Sequence, residues 1–319
     1  MGDLGIFFTS DIHGSEICFK KFLNAGKYYG VDVIILGGDI VGKMVVPIVR
    51  RHDGSLIAEF LGEKRVIKAD DRESLQKLEW AIKNNGFYPY PIDEQQFDHI
   101  KSDKRAKEGI FAEAISRSLE RWVDMAEERL KGTGIQCFVT PGNDDPFFVD
   151  DILSKSGIIV NPEGECILLS PDHEMISTGF GNITPWRCPR DIPEEELAAK
   201  LDEMCALVKD MSNCVFNLHC PPYDTILDAA PTLDKALKPV TVGGAVMQSN
   251  VGSTAVLEAI KKHQPLISLH GHIHESRGDC RIGRTVSINP GSEYSQGILR
   301  GVVAVLGKDK IKRYALTSG

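Results

Sequence analysis

The sequence predicts an α/β protein in which short buried strands alternate with amphipathic helices. The first observation is an apolar run at residues 4–10, which is followed by a helical pattern from 15 to about 29. The second is another apolar run, at residues 31–36, directly after that helix. A strand–helix–strand order favours a right-handed parallel crossover, so the carboxyl ends of both strands should lie at one edge of a sheet.

Composition limits the class of protein before any motif is considered. The chain has 319 residues, of which 42% are hydrophobic and 26% are charged, as in globular proteins with a sizeable core. Its net charge of −8 argues against an extended nucleic-acid surface. No apolar run approaches the roughly 20 residues of a membrane span, so no membrane contact is expected.

The spacing of the cysteines and the composition of the first residues indicate the cellular compartment of the protein. The eight cysteines are scattered without a CxxC pair, and the first residues lack a basic, apolar leader. Reduced thiols without an export signal are typical of cytoplasmic proteins. We therefore expect a cytoplasmic location.

Polar residues follow the first two strands. Asp11 and His13 come directly after the first apolar run, and Asp39 follows the second after two glycines. Open α/β sheets bind ligands at the carboxyl ends of their strands. A carboxylate and an imidazole two residues apart suit a divalent metal, although a capped turn is the simpler alternative for each motif alone.

The chain is predicted to be a single domain spanning residues 1–319, with an insertion at about 43–133. The insertion should contain three short strands and two helices, predicted at residues 45–49, 56–60, 65–68, 72–84 and 103–130. The segment 87–91, rich in aromatic residues and proline, cannot be helical throughout. Two roles stay open for the insertion, a cap over the site and a homo-oligomer contact.

Three more strand ends carry ligand-type side chains. Asn143, Asp144 and Asp145 follow the apolar run 135–140, although Pro-Gly-Asn-Asp is also ordinary turn chemistry. His219 follows a run at 214–218. His272 and His274 follow a run at 265–269, and in an extended backbone residues i and i+2 point the same way. These two histidines are therefore expected to reach one cavity.

The ordered set of motifs resembles the calcineurin-like metallophosphoesterase family. That family has DxH, GD, GNH(D/E), H and GHxH in this order, and the resemblance covers residues 4 to about 292 outside the insertion. Each motif is weak alone, but the ordered set is specific. The stretch Asn289-Pro290-Gly291-Ser292 is also similar to the small phosphodiesterase branch. The resemblance implies a four-layer sandwich of two mixed β-sheets flanked by helices, with an α/β insertion.

The resemblance also implies a dinuclear metal site and a reaction. A hydroxide that bridges two divalent ions about 3.5–4 Å apart would attack a phosphodiester or nucleotide-type phosphoester. Mixed nitrogen and oxygen ligands suit Mn, Fe, Zn or Ni, with Mg possible. One ion would be held by Asp11, His13 and His274, the other by Asn143, His219 and His272, and Asp39 would bridge them. The residues expected to act in catalysis are Asp39, Asn143 and Asp144.

Asp144 departs from the family pattern, because it stands where the family has the histidine of GNH(D/E). In the family that histidine is thought to stabilise the transition state or protonate the leaving group. A carboxylate beside two cations is expected to stay ionised, to be a poor general acid and to repel a phosphate dianion. This favours a small diester over a monoester as substrate.

Two further classes of function stay open. A non-catalytic scaffold on the same fold, like the retromer scaffold subunit, is disfavoured because all seven ligand positions are intact. A nuclease of the repair branch is disfavoured by the acidic charge. The Ser/Thr protein phosphatase branch is disfavoured because Gly38-Asp39 is not followed by the DRG of that branch.

Overall fold

The structure is a computed structural model that describes residues 2–319. Helix α1 begins after Ser15 and ends at Gly30, whose φ of 64° and N–H bond to the Gly26 carbonyl close the last turn. In chain order the helices are α1 (Glu16–Tyr29), α2 (Arg72–Asn84), α3 (Glu94–Ser102), α4 (Lys104–Leu130), α5 (Phe148–Leu153), α6 (Glu194–Ala206) and α7 (Thr254–His263).

The strands fall into two large sheets, one smaller sheet and short ribbons. In chain order they are β1 (Leu4–Thr9), β2 (Val33–Leu36), β3 (Met44–Arg50), β4 (Leu56–Phe60), β5 (Glu63–Ile67), β6 (Phe87–Asp93), β7 (Gln136–Val139), β8 (Ile159–Val160), β9 (Cys166–Ser170), β10 (His173–Thr178), β11 (Gly181–Asn182), β12 (Asp191–Ile192), β13 (Val215–Leu218), β14 (Ala229–Pro231), β15 (Thr241–Val242), β16 (Ala245–Val246), β17 (Gln248–Asn250), β18 (Ile267–Leu269), β19 (Gly278–Ile282), β20 (Thr285–Asn289), β21 (Arg300–Gly307) and β22 (Lys310–Ser318).

Each large sheet has six strands and mixed directions. The first has the order β22-β21-β1-β2-β7-β8, in which β1, β2, β7 and β8 run parallel. The second has the order β19-β20-β18-β13-β10-β9, in which β20, β18, β13 and β10 run parallel. The antiparallel strands lie at the sheet edges. The predicted crossover between β1 and β2 is present, with Phe7 paired to Ile34.

Alternating side chains place each sheet between two apolar layers. Ile6 and Phe8 pack between the two sheets with Val215 and Ile267, whereas Phe7 faces α1 and α4. The outer face of the second sheet packs on α6 and α7. This is the predicted four-layer sandwich of two mixed sheets flanked by helices.

The elements between Met44 and Leu130 form the predicted α/β addition. Its sheet has the order β5-β4-β3-β6, with β3 and β6 parallel. A small core of its own lies against α2. The long helix α4 belongs to both parts, because its Trp122 stacks on Phe19 of α1 at a centroid distance of 4.2 Å. That these residues are an insertion within one domain stays a prediction.

Candidate metal centre

The loops after five parallel strands converge between the two sheets. Asp11, His13, Asp39 and His272 all adopt left-handed backbone conformations, with φ of 56°, 38°, 48° and 67°. Such φ values are costly for residues with a side chain and are typical of functional turns. Backbone bonds hold the turns together: Asp11 N donates to the Gly38 carbonyl at 3.0 Å, and His13 N donates to that of Asp39 at 2.9 Å.

A first group of ligand-type atoms comes from Asp11, His13 and His274, which all lie within 4.8 Å of one another. The Nε2 atoms of His13 and His274 are 3.0 Å apart. His274 Nε2 is 3.3 Å from Asp11 Oδ1. These are the three residues that the resemblance assigns to one ion.

A second group comes from Asp39, His219 and His272, again within 4.8 Å of one another. His219 Nε2 is 3.4 Å from Asp39 Oδ1. The other ring nitrogen, Nδ1, lies 3.0 Å from the Gly37 carbonyl oxygen, a bond that requires Nδ1 to carry the proton. His219 Nε2 is therefore the nitrogen with a lone pair for a metal.

Asp39 joins the two groups through its two carboxylate oxygens. Its Oδ2 lies 3.6 Å from His13 Nε2, and its Oδ1 lies 3.4 Å from His219 Nε2. A carboxylate that offers one oxygen to each of two groups has the geometry of a bridging ligand.

The distances and the unpaired atoms of this cluster fit metal binding. Two ligand atoms that each lie about 2.1 Å from one ion stand about 3.0–3.4 Å apart at octahedral or tetrahedral angles. Asn143 Oδ1 and His219 Nε2 are buried and lack a hydrogen-bond partner anywhere in residues 2–319. Buried polar atoms without a partner are rare in folded proteins, and an ion bound in the second group would satisfy His219 Nε2.

The charges of the cluster favour the metal-binding forms of its ligands. Burial would raise the pKa of Asp39, but the nearby rings of His219 and His13 outweigh it and hold that pKa well below its usual range. Burial lowers the pKa of His13 to about 3 and that of His272 to about 4. At neutral pH the carboxylate is therefore ionised and both imidazoles are neutral, as coordination requires.

His219 and His274 differ from His13 and His272. Burial would lower the pKa of His219, but the charges of Asp39 and Asp11 outweigh burial and raise it to about 9. Burial would likewise lower the pKa of His274, but the hydrogen bond to Asp11 and the charge of Asp11 outweigh burial and raise it. A proton on His219 thus takes the position in which a cation would otherwise balance the two carboxylates, so metal and proton should compete there.

Asn289 holds the histidine loop in place. Its Nδ2 donates to the carbonyls of Gly271 and Ile273 at 3.2 and 2.9 Å. His270, the first of the three clustered histidines, is bonded to Ser268 and to the Leu218 carbonyl. His270 is therefore structural. Of the three histidines at positions 270, 272 and 274, only His272 and His274 belong to the ligand groups.

Asp144 and Asp145 have different surroundings. Asp145 is fully buried, and its carboxylate accepts the N–H groups of Ile40, Val41 and Gly142 at 3.0, 2.9 and 2.6 Å. Asp145 is thus the residue that ties two ligand loops together. Asp144 is partly exposed, and its carboxylate lies within 4.8 Å of ligand atoms of His13 and Asp39.

Three residues near the cluster were not found from the sequence. Lys43 Nζ lies 3.0 Å from Asp144 Oδ2. Asp191 Oδ1 accepts from Asn143 Nδ2 at 2.8 Å. The ring of Tyr294 packs 4.8 Å from that of His13, between centroids. Each contact joins residues far apart in sequence, although Tyr294 lies just beyond the Asn289–Ser292 stretch.

The aromatic and proline-rich composition of segment 87–91, and the loop that carries Trp186 and Arg187, make these two segments our candidates from the sequence for substrate contact. The segment 87–91 is part of strand β6, and its Tyr88 is buried with the hydroxyl accepting from Gly42 N at 2.7 Å. It therefore supports the loop after Asp39. Trp186 and Arg187 lie exposed on the loop that Asp191 anchors, through bonds to Thr184 and Cys188. Substrate contact by either segment stays a prediction.

Comparisons with known proteins show the fold and little more. No protein-family model matches the chain. The uncharacterized protein MJ1162 of Methanocaldococcus jannaschii is 30% identical over 158 residues, which are 49% of this chain and 64% of that protein. The match therefore spans slightly less than two thirds of the relative's length.

Two solved structures share the architecture over nearly the whole chain. TT1561 of Thermus thermophilus is 16% identical, with a TM-score of 0.52, over 100% of this chain and 99% of that one. Another structure, also 16% identical, has a TM-score of 0.57 over 99% of both chains. YfcE, a phosphoesterase from E. coli, is 12% identical over 98% of both chains, but its TM-score of 0.34 is too low to support any conclusion.

Among the helices in residues 2–319, none combines the length and the apolar composition that a bilayer crossing requires.

Proposed function

We propose that the chain is a metal-dependent phosphoesterase of the calcineurin-like type, which binds two divalent ions and hydrolyses a small phosphodiester or nucleotide-type phosphoester. The observation that carries the proposal is Asp39, whose two oxygens face two separate ligand groups. A pair of ions in this arrangement lowers the pKa of a coordinated water and neutralises charge on phosphoryl oxygens.

The protein's own groups would have distinct roles. Asp11, His13 and His274 would hold one ion, Asn143, His219 and His272 the other, and Asp39 both. Asn143 contributes a neutral oxygen, so the second position would carry less negative charge than the first. Because the loops are locked by backbone bonds, the ligands are preorganised and little reorganisation is required on binding.

The preference for a diester rests on Asp144. Its carboxylate lies beside the cluster, where the resembling family has a histidine. A monoester carries nearly two negative charges at neutral pH and a diester one, so a nearby carboxylate opposes the monoester more.

The choice of proposed metals follows from the types of ligand atom. Four imidazole nitrogens with carboxylate and amide oxygens suit Mn, Fe, Zn or Ni, and Mg less well because it prefers oxygen. Manganese is our first candidate for assays.

The test is metal content together with turnover. We expect elemental analysis of the purified chain to give about two ions per molecule after incubation with Mn or Ni. We also expect turnover of bis(p-nitrophenyl) phosphate that is abolished by chelation and restored by metal. Two bound ions without turnover of any diester or nucleotide would favour the scaffold alternative.

A panel of substrates would separate the remaining alternatives. Cleavage of oligonucleotides in preference to small diesters would favour a nuclease, which the net charge of −8 disfavours. A cytoplasmic location and a homo-oligomer formed through the insertion also stay predictions.

A further inference from the structure

Lys43 and Asp144 form an ion pair at the edge of the ligand cluster. Lys43 Nζ lies 3.0 Å from Asp144 Oδ2, and the Lys43 side chain is 49% exposed. Asp144 belongs to the loop after β7 and Lys43 to the loop after β2, so the pair links two of the loops that carry predicted ligands. A half-exposed lysine side chain beside the ligand cluster can be reached by a substrate.

The backbone that carries Lys43 is held unusually firmly. The N–H groups of Ile40 and Val41 donate to the buried carboxylate of Asp145. Gly42 N donates to the hydroxyl of Tyr88 at 2.7 Å. A Cβ on Gly42 would lie 2.0 Å from the Gly86 carbonyl oxygen, so this backbone is packed tightly against the insertion. The backbone at Lys43 is therefore fixed, and only the Lys43 side chain can change conformation.

Asp144 is fixed from its other side. Its N–H donates to Asp39 Oδ1 at 3.1 Å, which ties it to the bridging carboxylate. Its Oδ1 accepts from the Cys188 thiol at 3.6 Å. With one carboxylate oxygen on Cys188 and the other on Lys43, Asp144 holds the ammonium beside its own carboxylate, which lies within 4.8 Å of ligand atoms of His13 and Asp39.

We propose that Lys43 is a catalytic residue that binds a non-bridging oxygen of the substrate phosphate, and that Asp144 is the residue that positions it. The inference rests on the proposed phosphoesterase function. An ammonium has three donors, so Lys43 can keep its bond to Asp144 and donate to a phosphate oxygen at the same time. The Lys43 ammonium thereby places a positive charge beside Asp144, the position at which the calcineurin-like family has a histidine.

The primary test is Lys43→Met with Lys43→Arg as the conservative variant. We expect kcat/KM for bis(p-nitrophenyl) phosphate to fall about 100-fold in Lys43→Met, the usual size for loss of one stabilising donor. Lys43→Arg should retain activity to within about 10-fold, because it keeps the charge. Lys262→Met is the matched control, since Lys262 of α7 forms an exposed ion pair with Asp202 of α6 at 2.6 Å, on the outer face of the second sheet. Parent-like activity in Lys43→Met would overturn the inference.

A double variant separates phosphate binding from simple neutralisation of Asp144. If Lys43 only balances the Asp144 charge, Lys43→Met/Asp144→Asn should recover parent activity. If Lys43 binds the phosphate, the double variant should recover only the part of the loss that the unbalanced Asp144 charge causes and should stay well below the parent. Recovery to the parent value would overturn the inference.

Binding of inorganic phosphate gives a readout that does not depend on turnover. Calorimetry on the manganese-loaded chain should show at least about 10-fold weaker phosphate binding in Lys43→Met than in the parent or in Lys262→Met. Metal content should be equal in all three. Equal phosphate binding would contradict only the proposed role of Lys43 and not the phosphoesterase function. A parent that holds no metal and hydrolyses no ester would contradict the proposed function itself.

Discussion

Asn143 donates from its Nδ2 to Asp191 Oδ1 at 2.8 Å, and this bond fixes which end of the amide is left for other contacts. The remaining atom, Oδ1, is buried without a hydrogen-bond partner in the described part of the chain. Asp191 Oδ2 in turn accepts from Thr184 and from Cys188 N. Asp191 therefore orients a proposed metal ligand and anchors the loop that carries Trp186 and Arg187.

We expect Asp191→Ala to weaken binding of the second ion by about 10–100-fold, the usual effect of removing a group that orients a ligand. The measurement is a chelator-competition titration with elemental analysis at limiting metal. Asp202→Ala is the control, because Asp202 is exposed and forms ion pairs with Lys262 and His263 of α7 on the outer face of the second sheet. Unchanged affinity in Asp191→Ala would show that Asn143 needs no such support.

Asp39→Asn should remove most of both ions, because one oxygen of Asp39 faces His13 and the other faces His219. Activity should fall at least about 100-fold, since a neutral amide cannot bridge two cations. His274→Gln is the informative comparison, since it removes a ligand from the first group only and should leave about one ion per chain. Two ions and normal turnover in Asp39→Asn would make the bridging assignment wrong.

In excess chelator, the stability of the metal-free protein should fall both above and below about pH 6.5. The folded-state pKa of His219 is raised to about 9, because Asp39 and Asp11 outweigh burial, so the stability from its proton is full below about 6.5 and is lost as the pH rises through 9. Burial lowers the pKa of His13 to about 3 and that of His272 to about 4, so their contribution is lost as the pH falls from about 6.5 through these values.

The measurement is the melting temperature in excess chelator from pH 4 to 10. His219→Gln should remove the part of the alkaline decline that His219 causes, and should leave the part due to the raised pKa of His274 as well as the acid decline. Added manganese should reverse the alkaline trend, because the ion requires neutral His219. A chelated parent that becomes steadily more stable from pH 6.5 to 9 would refute the assigned protonation of His219.

Much of the fold could be predicted from local sequence patterns, which also put polar residues at the strand ends, whereas the division of these residues into two metal groups was implied by the family resemblance. Apolar runs that end in Gly and Asp turns mark the carboxyl ends of strands, and parallel strands bring those ends together. The helices at 72–84 and 104–130 were likewise predicted almost to the residue from their periodicity and their flanking turns.

The details of the site depend on long-range contacts that no local pattern records. Strand β18 ends at Leu269, and the left-handed backbone of His272 sends its ring to the group of His219, whereas His274 joins that of His13. The backbone at His272 is therefore a turn and not an extended strand, although the rings of both histidines lie in the same cluster. Lys43 was missed for the same reason, since its partner Asp144 comes from a distant loop.

Gly38→Ala should displace His219. Gly38 has φ of 127°, and a Cβ there would lie 2.2 Å from His219 Nδ1, so the ring would lose its bond to the Gly37 carbonyl. We expect loss of the second ion together with lower stability. Gly30→Ala is a matched control with φ of 64° and no atom within 4 Å of the added carbon, which should cost only about 1 kcal/mol of backbone strain. Equal metal content in both variants would contradict the steric argument.

Asp144 should set the preference between diester and monoester substrates. The measurement is kcat/KM for bis(p-nitrophenyl) phosphate and for p-nitrophenyl phosphate, in the parent, Asp144→Asn and Asp144→His. We expect the parent to prefer the diester and both variants to shift the ratio towards the monoester, because the carboxylate repels the extra negative charge of the monoester. Asp144→His should also supply a possible proton donor and reduce the dependence of rate on leaving-group pKa.

Lys43 offsets part of the Asp144 charge, so the shift in Asp144→Asn should be smaller when Lys43 is present than in the Lys43→Met background. Asp145 already bonds the N–H groups of Ile40 and Val41, which leaves Asp144 without that capping role. Loss of the Asp144 carboxylate should therefore act through charge and through the position of Lys43, and not through the loop of Ile40 and Val41 that Asp145 holds. If the parent prefers the monoester, or if both substrates respond alike in Asp144→Asn and Asp144→His, the carboxylate does not control substrate charge.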